Sequence, residues 1–382
     1  MVIVIVIDVY NQLANGTVVS ARRFVDELRS RGHEVRIVST EVEGEFCYGV
    51  PERKMPIVSK VAKKQKIVYG QPDVDVLKKA MQGADIVHCY LPFKLEKVAV
   101  QVAKEMGVPC MAAFHLVPEG ITYSCWFKKD KILPNILYGS FRKRLYNCVD
   151  HIHCPSHFTA QKLREHKYKA QLHVISNGVA DCFVPPKQEI PRTDNYFHIL
   201  AVGRYAADKR YDVLIKAVAK SKYKDNIKLF LCGVGPLEKK IKKLAKKLLP
   251  IQPDFKFCNK DELVQTMYKS DLYVHAGDVE SEAIACVEAI STGLVPIIAD
   301  SVTSAASQFA LDSRSLFKAG KVDKLVQKID YWIENKEERE KMSIQYAEWA
   351  TQFTLANSVT QMEEVYKEII ESYHYNKQQE LS

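Results

Sequence analysis

The 382-residue chain is predicted to be an α/β protein with two parallel-sheet domains, on three observations. Short apolar runs rich in Val and Ile alternate with amphipathic helical stretches, the repeating unit of a parallel sheet. This alternation occurs twice, and a segment carrying Pro185, Pro186 and Pro191 lies between the two courses. The length exceeds what one hydrophobic core usually serves. The expected division is a first domain over residues 1–182, a linker over 183–197, a second domain over 198–356 and a final helix over 357–376.

The first half opens on Val2 to Ile7, a β-branched run suited to a strand buried on both faces. A polar turn, Asn15-Gly16-Thr17, precedes a helix with Ala21, Phe24, Val25 and Leu28 on one face, and Val35 to Val38 follows as a strand. Strand, Gly-containing loop, helix and strand open a mononucleotide-type fold, although no G-x-G-x-x-G is present. Gly16 serves either as a simple turn or as a place where an anion approaches a helix N-terminus. Further strands are expected over Ala84–His88, Val108–Phe114, Ile152–Pro155 and Leu172–Ile175, with a helix over Lys94–Met106 and a Ser156 N-cap. His115 ends one of these strands, where a parallel sheet points side chains into its ligand crevice.

The second half restarts with His198–Val202. Gly203-Arg204 follows, then a helix around Val213–Val218, a strand Ile227–Cys232 and a Gly233-Val234-Gly235 loop. The helix Leu237–Leu249 places Leu237, Ile241, Leu244 and Leu248 on one face and six lysines on the other, the pattern of a solvated face. Strands at Phe255–Cys258 and Leu272–His275 lead to a helix over Ala283–Ile290, which Gly293 ends, and then to a strand over Val295–Ala299. Glu280 falls in the loop before that helix and Glu288 inside it. Both can then line one crevice at the carboxyl edge of a sheet, unless they are two solvated charges. The tail from Asn376 is expected to be disordered.

A composition of 47% hydrophobic and 26% charged residues is that of an ordinary soluble globular protein. The longest uncharged apolar segment, Met106 to Pro118, is too short to span a bilayer. Met1–Ile7 lacks a basic flank and reads as a first strand rather than a signal peptide. The ten Cys contain no C-x-x-C pair, and Cys89, Cys110, Cys232 and Cys286 sit in apolar strand-like runs. They read as reduced, buried thiols of a cytoplasmic protein, not as disulfides or a zinc site.

Residues 1–180 hold 26 Lys and Arg against 17 Asp and Glu, a net +9 that equals the charge of the whole chain. A basic half beside a neutral half points to an anionic partner. Two segments concentrate that charge among apolar residues. One carries Lys60, Lys63, Lys64 and Lys66; the other carries Trp126, Lys128, Lys129, Arg142, Lys143 and Arg144. Basic and aromatic residues together suit a membrane interface or an acceptor groove, with a solvated loop as the alternative for the first segment. No nucleic acid is expected, because none of the motifs of nucleic-acid-reading folds is present.

Glu280-x7-Glu288, the Asn15-Gly16 opening with Gly32-His33-Glu34-Val35, Pro155-Ser156, Asn177-Gly178-Val179 and Gly203-Arg204 with Lys209 occur in the expected order. Together they resemble the family 4 retaining glycosyltransferases of the GT-B fold, and the opening resembles members that glycosylate diacylglycerol. The resemblance covers nearly the whole chain. It implies two Rossmann-like domains facing a central cleft, a nucleotide-sugar donor, UDP-glucose by the lipid branch, and a lipid acceptor such as 1,2-diacylglycerol at the inner face of the cell membrane. It also implies donor-binding roles for Gly16, Arg204, Lys209, Gly235, Ala283, Ile284 and Glu288. His115 and Glu280 would lie by the donor sugar, with anionic membrane lipids as a further partner and neither metal nor cofactor required. Two fixed cations suit a leaving diphosphate, whose negative charge grows in the transition state. The departure is Glu282-Ala283, where many members carry Phe-Gly. Alternative readings are a transferase of cell-surface polysaccharide, a GT-B epimerase, and a basic polyanion-binding protein without transferase activity.

Overall fold

The computed structural model describes residues 1–11, 16–53, 68–124, 132–188, 190–192 and 194–381. The strands are β1 (Val2–Val9), β2 (Glu34–Thr40), β3 (Cys47–Gly49), β4 (Ile86–Cys89), β5 (Cys110–Ala113), β6 (His151–Cys154), β7 (Gln171–Val174), β8 (Phe197–Val202), β9 (Ile227–Cys232), β10 (Asp254–Lys256), β11 (Leu272–His275), β12 (Val295–Asp300) and β13 (Leu316–Lys318). The main helices are α1 (Gly16–Ser30), α2 (Val74–Met81), α3 (Lys94–Met106), α4 (Ile132–Arg144), α5 (His157–Glu165), α6 (Tyr211–Lys220), α7 (Glu238–Leu248), α8 (Lys260–Tyr268), α9 (Ile284–Ser291), α10 (Val322–Glu334), α11 (Lys336–Ala350) and α12 (Leu355–Leu381).

The chain divides into two compact units. Unit 1 comprises Met1–Pro118, Lys129–Gly178 and Leu355–Ser382; unit 2 comprises Glu119–Lys128 and Val179–Thr354. Among the described residues, unit 1 holds a seven-stranded sheet in the order β3-β2-β1-β4-β5-β6-β7. Unit 2 holds a six-stranded sheet in the order β10-β9-β8-β11-β12-β13. All named pairings are parallel. In each sheet the strand order reverses beside the first strand, between β1 and β4 and between β8 and β11. Such a switch point opens a crevice at the carboxyl ends of the strands.

In unit 1 the residues of β1 from Ile3 to Ile7 are fully buried, as a β-branched strand covered on both faces should be. Helix α3 ends on Gly107 in the left-handed conformation, and Ser156 caps α5 through a reciprocal bond with Thr159. Helix α12 joins this unit and not its neighbour in sequence. Val359, Met362, Tyr366 and Ile369 enter the core with Phe24, Val25 and Leu28, and Glu363 pairs with Arg31 at 2.8 Å and His33 at 2.6 Å. Gly178 has φ +72, and a Cβ there would fall 2.6 Å from the Leu355 Cα, so glycine is needed where the chain leaves the unit and returns.

The end of α12 corrects the expectation of disorder from Asn376: the helix runs to Leu381. Residues 376–381 contain no Gly or Pro and are mostly good helix formers. Lys377 also lies over Gly107, at the C-terminus of α3, where a cation is favoured. Among the described residues no helix is long and apolar enough to cross a membrane.

Candidate functional site

The carboxyl edge of the unit 2 sheet is built from three loops locked to one another. Gly203 N donates to Cys232 O at 2.9 Å and Tyr205 N donates to Val234 O at 2.9 Å, which zips the loop after β8 to the loop after β9. The contact is close enough that a Cβ on Gly233 would fall 2.0 Å from Gly203 O, and one on Gly235 2.6 Å from Tyr205 N. Backbone packing therefore leaves no room for a side chain at Gly235, which the sequence reading assigns to the donor. The loop after β8 is in turn tied to the loop after β11, because Asp278 N donates to Asp208 O at 2.7 Å. Ser301 and Thr303 hydroxyls donate to Asp278 O, and Ala305 N donates to Glu280 O, so the β12 side holds this loop as well.

These ties bring Lys209 and Glu280 together, 71 residues apart in sequence, in a direct ion pair. Their side chains are only 19% and 16% exposed. Burial by itself pushes the Glu280 carboxyl up. The Lys209 charge, then His275 and Arg204, outweigh it and hold the carboxylate below its usual range. Burial likewise works against the Lys209 charge, and Glu280 and Asp208 more than offset it, so the ammonium is kept. Arg204 is half-buried close by, and its guanidinium forms no hydrogen bond or ion pair among the described residues. A guanidinium left without a carboxylate is available to an anion.

Sequence reasoning missed three neighbours. His275 ends β11 with Nε2 3.4 Å from Glu280 Oε1, and burial drives its ring down to about 4, so it is neutral at physiological pH. Its position at the end of a strand is the same signal that drew attention to His115. Arg210, at φ +50, donates to Asp278 Oδ2 at 2.7 Å, and the Tyr123 hydroxyl donates to that same oxygen. Tyr123 lies on a short helix, Pro118–Ser124. Lys209, Tyr211, His275 and Gly277 line a small cavity at this edge.

Glu288 is buried on α9. It and Glu280 both act on the Tyr273 hydroxyl, which burial, the larger influence, already pushes up. The helix starts one residue later than expected. Ala283 is its N-cap, with φ +79, and Ile284 is its first residue. An L-residue in the left-handed region is strained, and glycine would relieve that strain.

In unit 1, Gly16 is the exposed first residue of α1, and a Cβ there would meet nothing within 4 Å. His115 is buried, stacked on Tyr90 with centroids 5.3 Å apart and edge-on to His153 at 5.3 Å. Burial and then the His153 ring hold it well below the usual histidine range. Arg142 is spent on structure: its Nη1 donates to His166 O at 2.6 Å. Lys143 and Arg144 are exposed on α4. Lys60, Lys63, Lys64, Lys66, Trp126, Lys128 and Lys129 lie outside the described residues. Among the described residues no cluster of three or more His, Cys, Asp or Glu is arranged to hold a metal ion.

Residues 14–181 match the model for Glycosyltransferase Family 4, and residues 185–349 match the model for Glycosyl transferases group 1. The chain belongs to the GT-B glycosyltransferases. Among its curated relatives is the α-monoglucosyldiacylglycerol synthase of Streptococcus pneumoniae. It is 26% identical over 310 residues, which cover 76% of this transferase and 69% of the relative. A GDP-mannose-dependent α-mannosyltransferase of Corynebacterium glutamicum is 25% identical over 78% of this chain and 72% of its own length. HepE from Anabaena, solved with UDP and glucose, shares the fold at TM-score 0.73 and 15% identity, with 96% of this chain and 100% of that one covered. The catalytic domain of cholesterol-α-glucosyltransferase from Helicobacter pylori is 56% identical over 41% of this chain and 99% of that one, with a TM-score of 0.40.

Proposed function

We propose that this transferase moves glucose from UDP-glucose to a lipid acceptor such as 1,2-diacylglycerol at the inner face of the cell membrane, with retention of anomeric configuration. The observation that carries the reading is the locked Arg204, Lys209 and Glu280 constellation at the switch point of the unit 2 sheet. Arg204 and Lys209 hold the diphosphate and stabilise the charge that grows on it as the glycosidic bond breaks, without reorganising. Glu280, kept ionised by Lys209, accepts a hydrogen bond from a hydroxyl of the donor sugar. Glu288 accepts from the ribose, and the amides of Ala283 and Ile284, next to the left-handed turn, donate to the donor. Gly235 borders the nucleotide in a loop that its close packing on Tyr205 holds in place. Gly16 and His115 keep the donor-side roles that the family resemblance carries. No metal and no cofactor enter this scheme, since the two cations supply the charge.

The lipid acceptor is supported by the Streptococcus relative and by α4. There Ile132 and Ile136, one turn apart, are 71% and 60% exposed on the helix that carries Lys143 and Arg144. Exposed apolar and basic residues on one helix suit an anionic membrane surface, at about 1 kcal/mol for each cation near it. The Corynebacterium relative favours GDP-mannose as the competing donor.

The test is incubation with UDP-glucose or GDP-mannose and anionic liposomes carrying diacylglycerol, a sterol or neither, with a soluble oligosaccharide in a parallel series. Nucleotide release and glycolipid are measured, and the product anomer is read by NMR. Lipid-dependent UDP release with an α-glucosyl lipid is expected. GDP release alone overturns the donor, and transfer only to the oligosaccharide overturns the acceptor.

A further inference from the structure

Cys232 ends β9 and Cys258 follows the neighbouring strand β10, and their sulfurs lie 3.0 Å apart. The parallel pairing of Asp254–Lys256 with Phe230–Cys232 brings these two thiols together from positions 26 residues apart. Cys232 is 2% exposed, whereas Cys258 is half-buried and reaches solvent. The transfer reaction uses neither. We propose that Cys232 and Cys258 form a redox-sensitive thiol pair, a modification site at which a hydroperoxide closes an internal disulfide that a small thiol reopens.

The asymmetry in exposure sets the order of events. The Cys258 sulfur takes oxygen from the peroxide: an S–O bond forms, the O–O bond breaks and water leaves, giving a sulfenic acid. Cys232 then attacks that sulfur. The S–S bond forms, the S–O bond breaks, and hydroxide leaves as water with the proton of Cys232. Two thiols lose two electrons, and one hydrogen peroxide becomes two waters. Burial raises the Cys232 thiol and keeps it protonated, which suits a resolving partner shielded from the oxidant. The sulfurs need to close by only ~1 Å to reach the bond length of a disulfide. Thiol exchange restores the pair.

The pair is wired to the phosphate-binding loop. Cys232 O accepts from Gly203 N at 2.9 Å, Tyr205 donates its hydroxyl to Leu231 O at 2.6 Å, and Gly233 is packed against the Gly203 carbonyl. A shift at Cys232 therefore moves the loop that carries Arg204. Oxidation is expected to raise the donor KM severalfold. This consequence rests on the proposed role of Arg204; the disulfide itself does not.

The full-length protein is treated with hydrogen peroxide, alkylated, and mapped by peptide mass spectrometry without reductant. The expected product is one cross-linked peptide pair containing Cys232 and Cys258, short of two hydrogens and released by dithiothreitol. Donor KM should rise in the same sample and return on reduction. Cys258→Ser should keep basal turnover and lose both responses. Mapping on the parent protein stands even if a variant folds poorly. A peroxide product that is only sulfinic or sulfonic acid at Cys258, or that joins Cys258 to another cysteine, overturns the pair. A cross-link without a change in KM overturns its coupling to the loop. Absence of UDP-glucose turnover would refute the proposed reaction and leave the cross-link readable.

Discussion

Replacing Lys209 by alanine separates two jobs of one side chain. The ammonium now neutralises a carboxylate that is only 16% exposed, and in the proposed reaction it also grips the donor diphosphate. Loss of a charge-assisted hydrogen bond costs about 1.5–3 kcal/mol. At ~1.4 kcal/mol per tenfold, UDP affinity measured by calorimetry should fall by about 10- to 150-fold. Transfer, where the same contact strengthens in the transition state, should be abolished.

The fold should survive with a deficit of ~1–3 kcal/mol, because Arg204 remains near Glu280. In the parent, the Glu280 carboxyl is held below the ordinary value of 4.5. Its contribution is therefore present above the unfolded pKa and is lost as pH falls through the folded one. Without Lys209, burial is less opposed and the folded pKa moves up, so the same group now costs stability as pH rises. The melting deficit of the variant should accordingly be largest near neutrality and shrink towards about pH 4. Adding Glu280→Gln should restore most of the stability and none of the UDP binding. UDP affinity within about twofold of the parent in a folded Lys209→Ala protein would refute the diphosphate role. A melting deficit independent of pH would refute the electrostatic account.

Other consequences are open to direct measurement. Ala283→Gly removes an L-residue at φ +79 and should raise stability in thermal melts, by up to ~1 kcal/mol after the entropy cost of glycine. Gly178→Ala puts a Cβ 2.6 Å from the Leu355 Cα at positive φ, and should lower stability by ~1–3 kcal/mol in denaturant titrations. Burial lowers His153 and His275 to about 4, so their ring protons in NMR titrations should stay in the neutral form from pH 8 to about 5 and move only below that. Because these two folded pKa values lie below the unfolded ones, their stability contribution is present above about 6.5 and is lost as pH falls towards 4.

What could be seen in the sequence was mostly local. Val2–Ile7 is readable as a covered strand because its run of β-branched side chains suits burial on both faces, and the helix Lys94–Met106 has the bounds expected of it. Glu280, Glu288, Arg204 and Lys209 are candidates through family spacing, and the structure pairs two of them, Lys209 and Glu280. His275, Arg210 and Asp278 were not legible, because their roles depend on the register between the loops after β8 and β11, set by one backbone bond from Asp278 to Asp208. The left-handed backbone at Ala283 has no signal in this sequence, because alanine gives none. The Cys232–Cys258 contact depends on which strand lies beside β9, which spacing cannot reveal. At Gly235 the structure adds a packing reason for glycine, the close approach of the Tyr205 backbone, that no spacing in the sequence could show.

The membership of α12 in unit 1 has a consequence for how the chain is made. Val359, Met362, Tyr366 and Ile369 complete a core whose other members lie before Gly178. A ribosome releases Val179–Thr354 before any of them, so the unit begun first is the one closed last. Until then the part of α1 that packs on α12 has no cover, while the sheet of unit 2 already has all its strands. A chain truncated after Thr354 would thus present one finished unit and one open hydrophobic groove. The last helix is the natural point at which a chaperone, a premature stop or a C-terminal fusion decides the fate of the whole protein.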